Sequence, residues 1–137
     1  MILLDTHVAV WLRAGDERLG SETRQMIREA QQQNAVFLSP ITAWEVTMLV
    51  AKGRLQMLQT PTDWYATFIT ASGVGEVQLD WRVLIGSVEL TDWAHRDLAD
   101  RMLVATAKLK RLTLTTADQR MLGYCLDQQI PHQNAFR

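Results

Sequence analysis

The sequence predicts an α/β protein of three layers, a short central parallel sheet of about five strands with helices on both faces. Three observations carry that prediction. Apolar runs of only three residues, such as Ile2–Leu4 and Val36–Leu38, lack the alternation of a sheet with one wet face. Stretches with helical spacing and clear start signals lie between them. Strand and helix alternate along the chain, and right-handed crossovers then bring every strand's carboxyl end to one edge.

Ile2, Leu3 and Leu4 form the first strand, which runs straight into Asp5. Residues 6–13 read as a short helix. Ser21 is the expected N-cap of a polar helix reaching about Gln32. Val36–Leu38 is the second strand. Ser39-Pro40 starts a helix: serine caps, and proline suits a first position whose N–H has no partner anyway. That helix carries Ile41, Trp44, Met48 and Leu49 at helical spacing and stops near Lys52-Gly53. Thr60-Pro61-Thr62-Asp63 repeats the start signal, Trp64, Tyr65, Phe68 and Ile69 follow, and Gly73 and Gly75 close the segment. Val77–Leu79 is the expected third strand, with Asp80 capping a helix over about 81–89. A further helix opens at Asp97 or Leu98 and runs to about Arg111, with Leu98, Met102, Ala105 and Leu109 as its apolar stripe. Leu112–Thr115 is the fourth strand, Asp118 stands near the start of a last short helix, and Ile130, beside Pro131, marks a weak fifth strand.

Composition narrows the class. A chain of 137 residues is expected to be one domain, residues 1–137, large enough for its own core. No apolar run approaches the roughly 18 residues of a membrane span, and no secretory signal is recognisable. Cys125 is the only cysteine, which rules out an intrachain disulfide and a cysteine-rich zinc site and fits a reducing, cytoplasmic setting. A net charge of -1 excludes binding to nucleic acid by charge alone, though not an enzyme that carries its cation as a metal. Arg96, Arg101, Lys108, Lys110 and Arg111 read as a solvated helix face. His7, His95 and His132 stand alone and read as structural, and the tryptophans at 11, 44, 64, 81 and 93 read mostly as core.

The acids are informative through where the strands end. Asp5 follows the first strand directly and Asp118 follows the fourth after Thr116-Ala117, so both belong at the carboxyl edge, where ligands of open α/β sheets bind. Asp97 and Asp100 stand at a helix start. Glu45 lies mid-helix among Ile41, Met48 and Leu49, where it caps nothing and where an inward carboxylate is expensive. Two carboxylates about 5 Å apart repel by roughly 3 kcal/mol at an effective dielectric near 20, so gathering several requires a cation. An oxygen-only donor set without cysteine suits Mg²⁺ or Mn²⁺, and the chemistry that follows is metal-assisted hydrolysis of a phosphodiester.

Four stretches, ILLDTH at the start, SPITAWEV around Glu45, HRDLADRMLVATA at 95–107 and LTLTTAD ending at Asp118, resemble the PIN-domain family in its order, and within it the toxin subunits of bacterial VapBC toxin–antitoxin pairs. Where family members often read HRDPFDR, this chain has Leu98 and Ala99 in place of proline and phenylalanine, with the acids unchanged. The resemblance implies a Mg²⁺- or Mn²⁺-dependent ribonuclease whose acidic quartet falls on Asp5, Glu45, Asp100 and Asp118. Asp5, Asp100 and Asp118 would hold the metal with Asp97 supplementing them, Glu45 would bind a metal water or act as base, and Thr116 and Thr6 would support the site. It also implies an RNA substrate, a homodimer and a VapB-like antitoxin whose tail lies in an apolar groove, for which Trp11, Leu12, Met48, Leu49, Leu55, Met57 and Leu58 supply surface beyond the needs of one small core. A phosphoaspartate receiver with Asp80 as acceptor is the rival reading. It is weakened by the single acid after the first strand and by the lack of a lysine ending a late strand. A PIN-domain RNA-processing nuclease or binding scaffold outside any toxin–antitoxin pair is the other.

Overall fold

The computed structural model describes residues 1–137. Five strands, β1 (Ile2–Leu4), β2 (Val36–Leu38), β3 (Val74–Glu76), β4 (Thr113–Thr116) and β5 (His132–Asn134), form one sheet in the order β3-β2-β1-β4-β5. Every neighbouring pair is parallel. The helices are α1 (Thr6–Ala14), α2 (Ser21–Gln32), α3 (Pro40–Ala51), α4 (Pro61–Ile69), α5 (Trp81–Val88), α6 (Leu98–Lys110) and α7 (Gln119–Asp127). None is long and apolar enough to cross a membrane. The predicted α/β class, layering and strand number hold.

The two cores follow from strand pleat. Successive side chains of β1 point to opposite faces. Ile2 and Leu4 enter a cluster with Val8, Trp11, Ile27, Val36, Leu38 and Phe68. Leu3 enters the other, with Leu103, Val104, Leu114, Met121 and Cys125. A three-residue strand buried on both faces must be apolar throughout, which is why it reads as an unbroken run. The order of strands also fixes where a site can form. The chain winds from β1 outward to β3, then returns to lay β4 on the other side of β1. The loops after β1 and β4 therefore diverge, leaving a crevice at their carboxyl ends.

Several expectations shift. The third strand is Val74–Glu76, not Val77–Leu79, and contains Gly75, read above as a helix stop. The glycine is accommodated because a Cβ there would sit 3.3 Å from the Phe37 ring of β2. Val77 only continues the ladder, its N–H donating to Leu38 O, and buries its side chain. The N-cap of α2 is Gly20, not Ser21. The C-terminal backbone lies so close to Gly20 that a side chain would collide with Arg137, and Arg137 O accepts the Thr23 N–H that a serine cap would have taken. The fourth strand starts at Thr113 rather than Leu112, because Arg111 closes α6 at φ 55° and Leu112 N–H still donates back to Ala107 O. The fifth strand follows Pro131 instead of including Ile130: His132–Asn134 is a polar edge strand beside β4.

The buried stripe of α6 is Ala99, Leu103, Val104 and Ala107. Of the predicted stripe, Leu98 and Leu109 are exposed, and Leu109 reaches toward Gly86 of α5. Ala105 of that predicted stripe is buried, and alanines at 99 and 107 on either side of the buried Leu103 let α6 lie close on the sheet. Trp11 and Trp64 are core, but Trp44 and Trp81 are about half exposed or more, at 49% and 61%.

Candidate active site

Asp5 is the N-cap of α1. Its Oδ1 accepts the Thr6 N–H at 2.7 Å and its Oδ2 accepts the Thr116 hydroxyl at 2.7 Å. It is buried, and burial pushes its carboxyl above the ordinary value against the pull of those hydrogen bonds. Thr116 ties the two strand ends together: its oxygen also accepts the Asp118 N–H at 3.1 Å. Asp118 caps α7, accepting from the N–H groups of Arg120 and Met121. Its other oxygen meets the Arg120 guanidinium at 3.1 Å. Burial raises the Asp118 carboxyl, but the Arg120 side chain and the two amides outweigh it and hold it below the usual value.

Asp97 caps α6, and its Oδ1 accepts the Asp100 N–H at 2.9 Å. The helix thus starts at Leu98, which turns Asp100 inward one turn along. Burial first, then the charges of Asp5, Asp97 and Asp118, raise the Asp100 carboxyl to about 6, against a hydrogen bond to His95. That bond, His95 Nε2 to Asp100 Oδ2, is 2.6 Å long. Glu45 projects from α3. Burial, followed by the charges of Asp5, Asp100 and Asp97, raises it to about 7. Its Oε1 is buried without any hydrogen-bond partner.

One cleft is lined by Asp5, Glu45, Asp97, Asp100 and Asp118, together with His7, Trp11 and Arg120. Within it, oxygens of Glu45, Asp97 and Asp100 lie within 4.8 Å of one another. Asp5 and Asp118 line the same cleft outside that tightest group. The Thr6 hydroxyl lies 3.0 Å from that of Thr42 and also faces Glu45, where it pulls the carboxyl down against burial. An orphan carboxylate oxygen among further carboxylates is what a hard cation relieves, so the residues present fit a divalent ion.

Two residues here escaped the reading from sequence. His95, taken as structural, touches Asp100 directly. Arg101, taken as part of a solvated basic face, turns into the protein and donates to the carbonyls of Ser87, Trp93 and His95. The signal available was only their adjacency to Asp100. Asp80, the acceptor of the receiver reading, is occupied as the N-cap of α5 and pairs with Lys110 at 3.6 Å.

The raised acids have a consequence for stability. Asp100 and Glu45 titrate from ordinary values of 3.8 and 4.5 to about 6 and about 7 in the fold. The folded state holds these protons more tightly than the unfolded chain, so ion-free protein loses stability as pH rises through that interval. Acids held low, such as Asp118 and Asp80, titrate below it and do not mask the effect. The melting temperature in chelator is expected to fall between about pH 4 and pH 7, and added Mg²⁺ or Mn²⁺ to reverse the fall at the upper end. A melting temperature in chelator that rises over the same range would contradict this.

A family profile described as "PIN domain" matches residues 2–125. Ribonuclease VapC22 of Mycobacterium tuberculosis is 30% identical over 123 residues, covering 90% of this chain and 91% of that protein. Two solved structures share the fold. A toxin–antitoxin complex from Klebsiella pneumoniae is 24% identical with a TM-score of 0.57, covering 86% of this chain and 87% of that one. FitAB bound to an IR36 DNA fragment is 21% identical with a TM-score of 0.63, covering 100% and 96%.

Proposed function

The chain belongs to the PIN-domain family, and from that premise we propose that it is a Mg²⁺- or Mn²⁺-dependent endoribonuclease, the toxin of a toxin–antitoxin pair acting in the cytoplasm. The observation that carries the reading is five acids on one cleft with a buried, unpaired Glu45 oxygen among them. Similarity to a protein named as a ribonuclease supports the substrate, and two structural neighbours solved with antitoxin or as FitAB support the partner.

Asp5, Asp100 and Asp118 would hold the metal, with Asp97 supplementing them. A divalent ion there would lower the pKa of water and offset charge on the phosphoryl oxygens. Glu45, its carboxyl raised to about 7, takes the proton of the attacking water as that oxygen adds to phosphorus and one P–O ester bond breaks, the departing oxygen taking a proton from solvent to leave as a hydroxyl. Thr116 fixes Asp5 relative to Asp118 through the two hydrogen bonds it makes. His95 orients Asp100 by engaging one of its two oxygens and leaving the other toward the cleft.

An apolar groove between α1 and residues 55–59, lined by Val10, Ala14, Leu55, Met57, Leu58 and Trp64, suits an antitoxin tail. The outer face of α5 exposes Trp81, Leu84, Ile85 and Val88 and suits a homodimer contact. The pure protein is expected to cleave RNA in Mg²⁺ or Mn²⁺ and to stop in chelator. Intact RNA under every divalent ion tried would overturn the reading.

A further inference from the structure

Beside the acids runs a second cleft, about 300 Å³, that shares Glu45 and Asp97 with the first. Its walls are Trp44 and Met48 of α3 and Leu98 at the start of α6, and Lys52, the C-cap of α3, and Arg54 line it as well. Trp44 is 49% exposed and Leu98 60%, which leaves an apolar wall open beside a polar site. Trp44 has no aromatic or cationic partner, unlike Trp11, Trp64, Trp81 and Trp93. Lys52 and Arg54 are exposed and neither pairs with a carboxylate. Lys52 stands seven positions beyond Glu45, roughly 10 Å along a helix. Trp44, Met48 and Lys52 are spaced four apart and share one side of α3, with Glu45 beside Trp44, so this side runs from aromatic and acid, past Met48, to the cation.

Resting on the nuclease reading, we propose that this cleft is a nucleotide subsite: Trp44 stacks on the base next to the scissile phosphate, and Lys52 and Arg54 bind the phosphate beyond it. Charge selects the occupant. The acid end repels a polyanion until a divalent ion neutralises it, whereas the cationic end attracts one at all times, so a phosphate chain is drawn across the apolar wall. An aromatic face accepts any base, but only one free of a duplex stack. The subsite thus favours an unpaired residue flanking the cut without reading its identity.

The test compares Trp44→Ala and Trp44→Phe with the wild type on an unpaired RNA, intact or carrying one abasic residue at each position flanking the cut. Trp44→Ala is expected to raise KM about tenfold to a hundredfold with kcat nearly unchanged, and Trp44→Phe to recover most of that. One abasic position should impose a similar loss on the wild type and none further on Trp44→Ala. The shift in melting temperature on adding Mn²⁺ should be the same in all three, since Trp44 is not a ligand. Lys52→Gln and Arg54→Gln should each flatten the salt dependence of KM by about one charge. Additive losses from Trp44→Ala and every abasic substitution would overturn the stacking role. So would unchanged cleavage by Trp44→Ala with weakened antitoxin binding, which assigns the cleft to a peptide. A wild type that cleaves no RNA removes the nuclease reading itself, a result distinct from either.

Discussion

Replacing Asp5 with asparagine is expected to reduce RNA cleavage by at least about a hundredfold while leaving the fold intact. Even a residue one step removed from a metal commonly costs ten- to a hundredfold in affinity or activity, and Asp5 is proposed to hold the ion itself. The fold survives because the substitution is isosteric. Asparagine's oxygen can still cap the Thr6 N–H as Asp5 Oδ1 does. Its amide can donate to the Thr116 oxygen, whose own proton then turns toward Met121 Sδ, already 3.7 Å away. The neutral side chain also escapes the burial that raises the Asp5 carboxyl, and removes one charge from a crowded cleft. The ion-free variant should therefore melt no lower than the wild type, and the stabilisation by Mn²⁺ should shrink sharply. Both are read by thermal denaturation with and without the ion, beside a cleavage assay. Cleavage by Asp5→Asn at the wild-type rate would remove Asp5 from the site. A large drop in its ion-free melting temperature would mean that the carboxylate is a structural cap first.

What could be seen in the sequence was local. A run of three apolar residues ending in an acid fixes both a doubly buried strand and the edge on which the acid lies, so Asp5 and its relation to Asp118 were legible. Glu45 was legible because it stands where helical spacing calls for an apolar residue. The edge strands were not: β3 contains a glycine and β5 is His-Gln-Asn after a proline, and neither carries the apolar pattern of a buried strand. Their strand character comes from the neighbour that pairs with them. The α6 stripe misled because the helix has apolar residues on two sides, one packed on the core and the other turned toward α5. Ala99, Leu103 and Ala107 face the core, while Leu109 lies against Gly86 of α5 and Leu98 is exposed. His95 and Arg101 were illegible for a further reason. His95 itself stands in a loop without regular structure, Arg101 gathers carbonyls from that loop and from the end of α5, and no periodicity announces either arrangement.

Arg101 is where that loop can be tested, and Arg101→Ala is expected to lower stability by about 3–5 kcal/mol, a fall in melting temperature on the order of 10 °C. The guanidinium donates to five carbonyls: Ser87 at 2.7 Å, Trp93 and His95 at 2.9 Å, and Val88 and Leu90 at 3.3 Å. Two of these, Ser87 and Val88, belong to the last turn of α5, where carbonyls have no partner within the helix and the macrodipole favours a cation. The others hold the segment that carries Trp93, which stacks on Tyr124 at 4.5 Å, and His95, which reaches Asp100. Alanine would strip the donors from all five at once. Lysine keeps the charge but offers three donors from one point, too few and too convergent to span the set, so Arg101→Lys should recover only part of the loss. Well below its melting temperature, Arg101→Ala should still cleave RNA, more slowly than the wild type but faster than Asp5→Asn, because it loosens His95 without removing a carboxylate. If Arg101→Ala melts within a degree or two of the wild type, the loop is held by the Trp93–Tyr124 stack alone, and the arginine is not what keeps His95 against Asp100.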